Sequence, residues 1–171
     1  MERKVLVAYA SKYGSTKEIA ERIGEKLQAE DLVVEVRSAG EVKDLSPYGA
    51  VVLGSGVYAG QWLRDAGNLL ENHESSFANL PVWLFSSGPT GEGDPVEIMK
   101  GWKFPENLQA VADRIGPREI VFFGGAIDPK KLSLPEKLIV RALRAPTGDY
   151  RNWDSIEAWA SGVAEELKNE A

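Results

Sequence analysis

The sequence predicts an α/β fold, a five-stranded parallel sheet of strand order 2-1-3-4-5 with helices on both faces. Three observations lead there. Apolar runs at residues 5–9, 50–54 and 82–86 lack polar alternation, as expected of strands buried on both faces. Stretches with helical periodicity lie between the runs. Strands alternating with helices require right-handed crossovers, hence a parallel sheet covered on both sides. A partial Rossmann domain is the alternative arrangement, and it predicts different loop chemistry.

The elements follow in order. Residues 5–9, behind the basic Arg3 and Lys4, form the first strand. Residues 15–29 form a helix with Ile19, Ala20, Ile23 and Leu27 on one face and Lys17, Glu18, Glu21, Arg22 and Glu25 on the other. Residues 32–36 alternate apolar and acidic, which marks an edge strand. The run at 50–54 is the third strand, and a helix is expected over 63–77. The fourth strand, 82–86, starts behind Pro81, where a missing N–H is tolerated. A helix over 105–115 begins on a proline, and 119–124 is the fifth strand. A short amphipathic segment at 135–144 and a closing helix over 153–169 complete the chain.

Composition narrows the chemistry. The 171 residues are read as one domain, with no repeat or dividing linker. With 20 Lys and Arg against 26 Asp and Glu the net charge is −6, which argues against a nucleic-acid binder. There is no cysteine, so disulfides, thiol nucleophiles and thiolate metal sites are excluded. The single histidine, His73, lies in a charged run and cannot build a multi-histidine metal site. Redox work would therefore require a bound cofactor. No apolar run approaches the roughly 18 residues of a spanning helix, and none reads as a signal peptide. The expectation is a cytoplasmic protein.

In such a sheet, ligands bind beyond the carboxyl ends of the strands flanking the point where strand order reverses. The loop after strand 1 is Ser11, Lys12, Tyr13, Gly14, Ser15 and Thr16. Its amides face the start of a helix, an anion site, and three hydroxyls can add donors. It lacks the glycine spacing of dinucleotide and P-loop motifs, so a monophosphate ester fits better. Equally, Ser15 with Glu18 can be a plain capping box. The loop after strand 3 carries Gly54, Ser55, Gly56, Val57, Tyr58, Ala59, Gly60 and Trp62. Its glycines allow close approach to a planar ligand, with Tyr58 and Trp62 as candidates to stack on it. The loop after strand 4 carries Ser86, Ser87, Gly88, Pro89 and Thr90, suited to bonding the polar edge of a heterocycle. Beyond them, Glu92 and Asp94 would disfavour a nearby anion.

The first loop matches the [ST]-x-[TYF]-G-x-T pattern, and through it and essentially the whole chain, from strand 1 to the last helix, the sequence resembles the flavodoxin family. It is most similar to the branch that includes bacterial menaquinone-dependent protoporphyrinogen oxidase. The matching features are residues 52–60, Gly124-Gly125-Ala126-Ile127, and Thr147-Gly148-Asp149-Tyr150-Arg151-Asn152-Trp153. The resemblance implies a flavodoxin-like three-layer sandwich binding FMN non-covalently. The phosphate would lie on residues 11–16 and the ring between the Tyr58 and Ser87 loops. The flavin would carry the electrons, with no catalytic side chain and no metal. Whether the protein is an enzyme or an electron carrier docking redox partners is left open, with the oxidase-like reading favoured.

Residues 128–151 set this chain apart from ordinary electron-carrier flavodoxins. The segment holds 6 Lys and Arg against 3 Asp and Glu, a surplus of three positive charges in a negative chain. Leu134, Leu138, Ile139, Ala142 and Leu143 fall on one helical face. The favoured expectation is that this face packs on the domain. The alternative is a site for a quinone, a porphyrinogen, a redox partner or the inner face of a membrane.

Overall fold

The computed structural model describes residues 4–170; Arg3, read as part of the basic start, lies outside them. Five parallel strands form the sheet: β1 (Lys4–Ala10), β2 (Val33–Ser38), β3 (Tyr48–Tyr58), β5 (Val82–Ser87) and β6 (Glu119–Phe123), in the order β2-β1-β3-β5-β6. This is the expected 2-1-3-4-5 order, interrupted in numbering only by a two-residue strand, β4 (Gln61–Trp62), antiparallel to the end of β3. β2 has one neighbour and is the edge that its acidic alternation implied.

Alternate side chains of each strand feed two cores. Leu6, Ala8, Val51, Leu53, Val82 and Leu84 pack beneath α2 (Arg64–Asn72), α3 (Glu74–Ala78) and α5 (Glu106–Ile115). Val5, Val7, Val52, Trp83 and Phe85 pack beneath α1 (Ser15–Ala29) and α7 (Trp153–Asn169). The three layers are therefore helix, sheet, helix, the flavodoxin-like arrangement.

Three expectations are corrected. The helix over 63–77 is two helices, because His73 leaves the helical region (φ −122°, ψ 28°) and a new turn starts on its carbonyl. That turn places Phe77 fully inside the core. Gly54, Ser55, Gly56, Val57 and Tyr58 are not loop: β3 runs through them and returns by a two-residue hairpin. Its turn residues, Ala59 and Gly60, both have positive φ (52° and 73°), as a type I′ connection requires.

The third correction concerns the basic segment. It leaves and rejoins the body through a small antiparallel stem, β7 (Ala126–Ile127) with β8 (Gly148–Asp149). Within it lies α6 (Leu134–Ala142). The apolar face of α6 does not pack on the body: Leu134 is 73% exposed, Leu138 and Ile139 58%, and Leu143 74%. A short helix, α4 (Pro95–Ile98), adds a turn after β5 that the Gly/Pro-rich sequence gave no sign of.

Candidate functional site

The phosphate-type loop sits where β1 feeds α1. Gly14 takes a left-handed conformation (φ 95°) and is itself the N-cap of α1, with no side-chain cap. A Cβ there would meet nothing within 4 Å, so glycine serves conformation rather than space. This removes the capping-box alternative, because Ser15 falls one position inside the helix. The amides of the first turn consequently lack a side-chain acceptor, and a 15-residue helix directs its positive end at the opening. Ser11 Oγ accepts from Gly14 N–H at 3.0 Å and closes the loop. Thr16 is buried.

Around this loop the structure gathers Lys12, Tyr13 and Tyr58. The two tyrosine rings meet edge to face at 6.4 Å. Lys12 Nζ lies 5.2 Å from the Tyr13 ring centre and 5.8 Å from that of Tyr58. Burial pushes the Tyr58 hydroxyl pKa upward, tempered by the Lys12 charge. Tyr13 Oη is buried with no hydrogen-bond partner among the described residues. Across the opening, Gly56 would place a Cβ 3.1 Å from Thr16 Oγ1 and 3.1 Å from Tyr58, so the β3–β4 hairpin abuts the loop after β1.

Several of the predicted positions turn their side chains inward. Ser55 Oγ accepts from Leu63 N–H at 3.0 Å and donates to the Gly56 carbonyl at 2.8 Å. Trp62, read as a stacking candidate, is buried: its Nε1 donates to Ser86 Oγ at 2.8 Å and its ring packs on Phe104 at 5.1 Å. Ser87 Oγ donates to the Gly124 carbonyl at 3.1 Å. What Ser55, Ser86 and Ser87 present at this end of the sheet is backbone. Gly88 and Pro89 are tied through main-chain bonds to Phe123 and Gly125, and Thr90 is buried behind them. Gly125 lies so close to this loop that a Cβ on it would be 2.8 Å from the Gly88 carbonyl. Asp94 caps α4 through Val96 N–H at 2.9 Å and is exposed, like Glu92.

Residues 128–151 also reach the loop after β1, which no spacing in the sequence announced. Lys12 Nζ pairs with Glu136 at 3.1 Å. Lys131 Nζ donates to the Tyr13 carbonyl at 3.3 Å, and Arg151 Nη1 to the Ser15 carbonyl at 3.1 Å. Between the loop and the segment lies a cleft of about 380 Å³ lined by Tyr13, Ser15, Ile127, Lys131 and Arg151 among others. Arg151 holds the Asp149 carboxyl below its usual range by direct hydrogen bonds. Ser133 N–H and Lys12 do the same to Glu136.

A flavodoxin domain model matches residues 6–154. The chain belongs to the flavodoxin domain family. Solved flavodoxin-fold structures agree in architecture. Oxidised Flavodoxin 2 from Bacillus cereus is 22% identical, with 95% of this chain and 99% of that one covered at a TM-score of 0.61. A Fusobacterium nucleatum flavodoxin variant bound to flavin mononucleotide is 17% identical, with 70% and 69% covered at 0.52. Rubredoxin oxygen:oxidoreductase from Desulfovibrio gigas is 16% identical over 97% of this flavodoxin domain at 0.64, but this chain spans 36% of its length. At these identities the likeness is one of fold. No curated protein matches the sequence. Among the described residues, no helix is long and apolar enough to cross a membrane.

Proposed function

We propose that the protein is an FMN-binding redox protein, with the whole chain acting as one flavodoxin-like domain carrying an insertion at about 128–151. The observation that carries this reading is the α1 start. Gly14 in the left-handed region leaves the first-turn amides without a side-chain cap, at the switch point of the sheet. Ser11, Lys12, Tyr13, Gly14, Ser15 and Thr16 would hold the phosphate. The ring would lie between the hairpin of Ser55, Gly56, Val57, Tyr58, Ala59 and Gly60 and the loop of Ser86, Ser87, Gly88, Pro89 and Thr90. The Fusobacterium relative's flavin mononucleotide supports the choice of cofactor. Bound FMN supplies one- or two-electron transfer. The chain's own residues bind and orient: Tyr13 Oη offers an unpaired donor, and Tyr58 an aromatic face at the opening. Purified protein is expected to be yellow and to release FMN, not FAD, on denaturation. A colourless protein indifferent to micromolar FMN would sink the reading.

Within that function, the exposed apolar face of α6 favours an oxidoreductase resembling protoporphyrinogen oxidase over a simple carrier. Leu134, Leu138, Ile139 and Leu143 form an outward apolar face with Lys137 and Arg141 on the same helix. Through Lys12 and Glu136 that helix is tied to the phosphate loop. Such a face suits a quinone, a porphyrinogen with its anionic propionates, or peripheral contact with the inner face of a cytoplasmic membrane. Quinone-linked oxidation of protoporphyrinogen is the expected activity. Turnover only with a flavodoxin reductase and a protein acceptor would favour the carrier reading instead.

A further inference from the structure

We infer that Arg151, at the returning end of the insertion, is a positioning residue that orients the phosphate loop by holding the Ser15 carbonyl. The inference rests on the flavin reading only for its effect on FMN. A peptide unit is planar and trans, so fixing a C=O fixes the N–H on its other side. Arg151 Nη1 holds the Ser15 carbonyl at 3.1 Å and thereby aims Thr16 N–H toward the open end of α1. Two peptides earlier, Lys131 Nζ holds the Tyr13 carbonyl at 3.3 Å, and with it the Gly14 N–H that Ser11 Oγ accepts.

Arg151 is suited to this task because its guanidinium is immobilised. Asp149 takes Nε at 2.9 Å and Nη2 at 2.7 Å, a two-point fork on one carboxylate. Glu18 lies 3.4 Å from Nη1, and the guanidinium stands 4.7 Å from the Trp153 ring centre. The side chain is 9% exposed, although it projects from a segment that is otherwise largely solvated. Lys131 is exposed by comparison. Asp149 and Glu18 balance the guanidinium charge, so the contribution is geometric more than electrostatic. The stem of β7 with β8 fixes where Asp149 stands and hence where Arg151 points. The insertion thus supports the cofactor loop as well as extending the surface.

The test uses Arg151→Gln, Arg151→Lys and Asp149→Asn in the full chain, with Lys26→Gln as the same charge change at the far end of α1. Arg151→Gln is expected to weaken FMN on the order of tenfold and to leave riboflavin, which has no phosphate, nearly untouched. Arg151→Lys keeps the charge but not the fork and should resemble Arg151→Gln; Asp149→Asn should lie between it and wild type. Independently of any flavin, amide hydrogen exchange at residues 11–16 of the apoprotein should speed up in Arg151→Gln and not in Lys26→Gln. Wild-type FMN affinity with unchanged exchange would overturn the inference. So would equal loss of riboflavin, or an Arg151→Lys protein indistinguishable from wild type. If Arg151→Gln does not fold, Asp149→Asn carries the same comparison. A wild-type protein that ignores FMN yet shows the exchange difference would refute the flavin reading and leave the positioning role standing.

Discussion

Two helices open on the same pattern, Ser-x-x-Glu, and use it differently. At α6, Ser133 is the N-cap, its Oγ accepting from Glu136 N–H at 3.3 Å while Glu136 accepts from Ser133 N–H at 2.9 Å. At α1, Gly14 takes the N-cap position, so Ser15 lies within the first turn and no side-chain cap forms. Glu18 turns instead toward Arg151. A one-residue shift of frame, set by a left-handed glycine, separates a closed helix start from an open one. The closed start belongs to the segment 128–151, and the open one lies at the switch point, where open α/β sheets as a class bind ligands.

The largest effect expected from this contrast is on cofactor retention. Ser11→Ala combined with Thr16→Ala should weaken FMN on the order of a hundredfold, and riboflavin far less, since two hydroxyl donors to a charged group are lost. Flavin fluorescence titration checks it; equal losses would mean that these hydroxyls do not hold a phosphate. Gly14→Val comes next. A β-branched residue at φ 95° should cost about 1–3 kcal/mol in chemical denaturation and displace the α1 start. Little change in stability would show that the loop relaxes into another conformation.

The paired cap variants sharpen the comparison further. Ser133→Ala should cost about 1 kcal/mol by denaturation, whereas Ser15→Ala should change stability by no more than a few tenths, because only the first removes a cap. Similar values would erase the contrast. A smaller difference follows from acid. The Glu136 carboxyl is held below its ordinary value by Ser133 N–H and Lys12, so the capping box contributes above the usual Glu range, near 4.5. That contribution is lost as pH falls below it through the depressed value. The Ser133 amide resonance should shift across that window, while α1 has no capping carboxylate to lose. Glu35 is separate: Tyr48, then Lys4, hold it down to about 2, while burial and Glu35 raise Tyr48 to about 12. Their contributions should fade toward pH 2 and, for Tyr48, between pH 10 and 12.

Much of the fold was legible because double-sided burial leaves an unbroken apolar run. Residues 5–9, 50–54 and 82–86 gave the central strands, and helical periodicity gave α1 and α7 with their observed ends. Legibility failed where local preference was overridden from outside. Glycine-rich residues 54–58 read as loop, yet pairing with β5 and the returning β4 keeps them extended. Trp62 read as a ligand platform, but its indole N–H finds Ser86 and its ring finds Phe104 beneath the surface. The α6 face was expected to pack inward, since amphipathicity reveals that a face needs covering without naming what covers it. Within the site, the motif located the loop; the reach of Lys131 and Arg151 across more than a hundred residues depends on the β7–β8 stem, which two-residue strands do not announce.

The central claim is that the open start of α1 holds the phosphate of a flavin. Comparing FMN with riboflavin on the wild-type apoprotein tests it most directly. Charge-assisted bonds to the phosphate should make FMN bind at least about tenfold tighter than riboflavin. Equal affinities, or no binding of either at micromolar concentrations, would contradict the account.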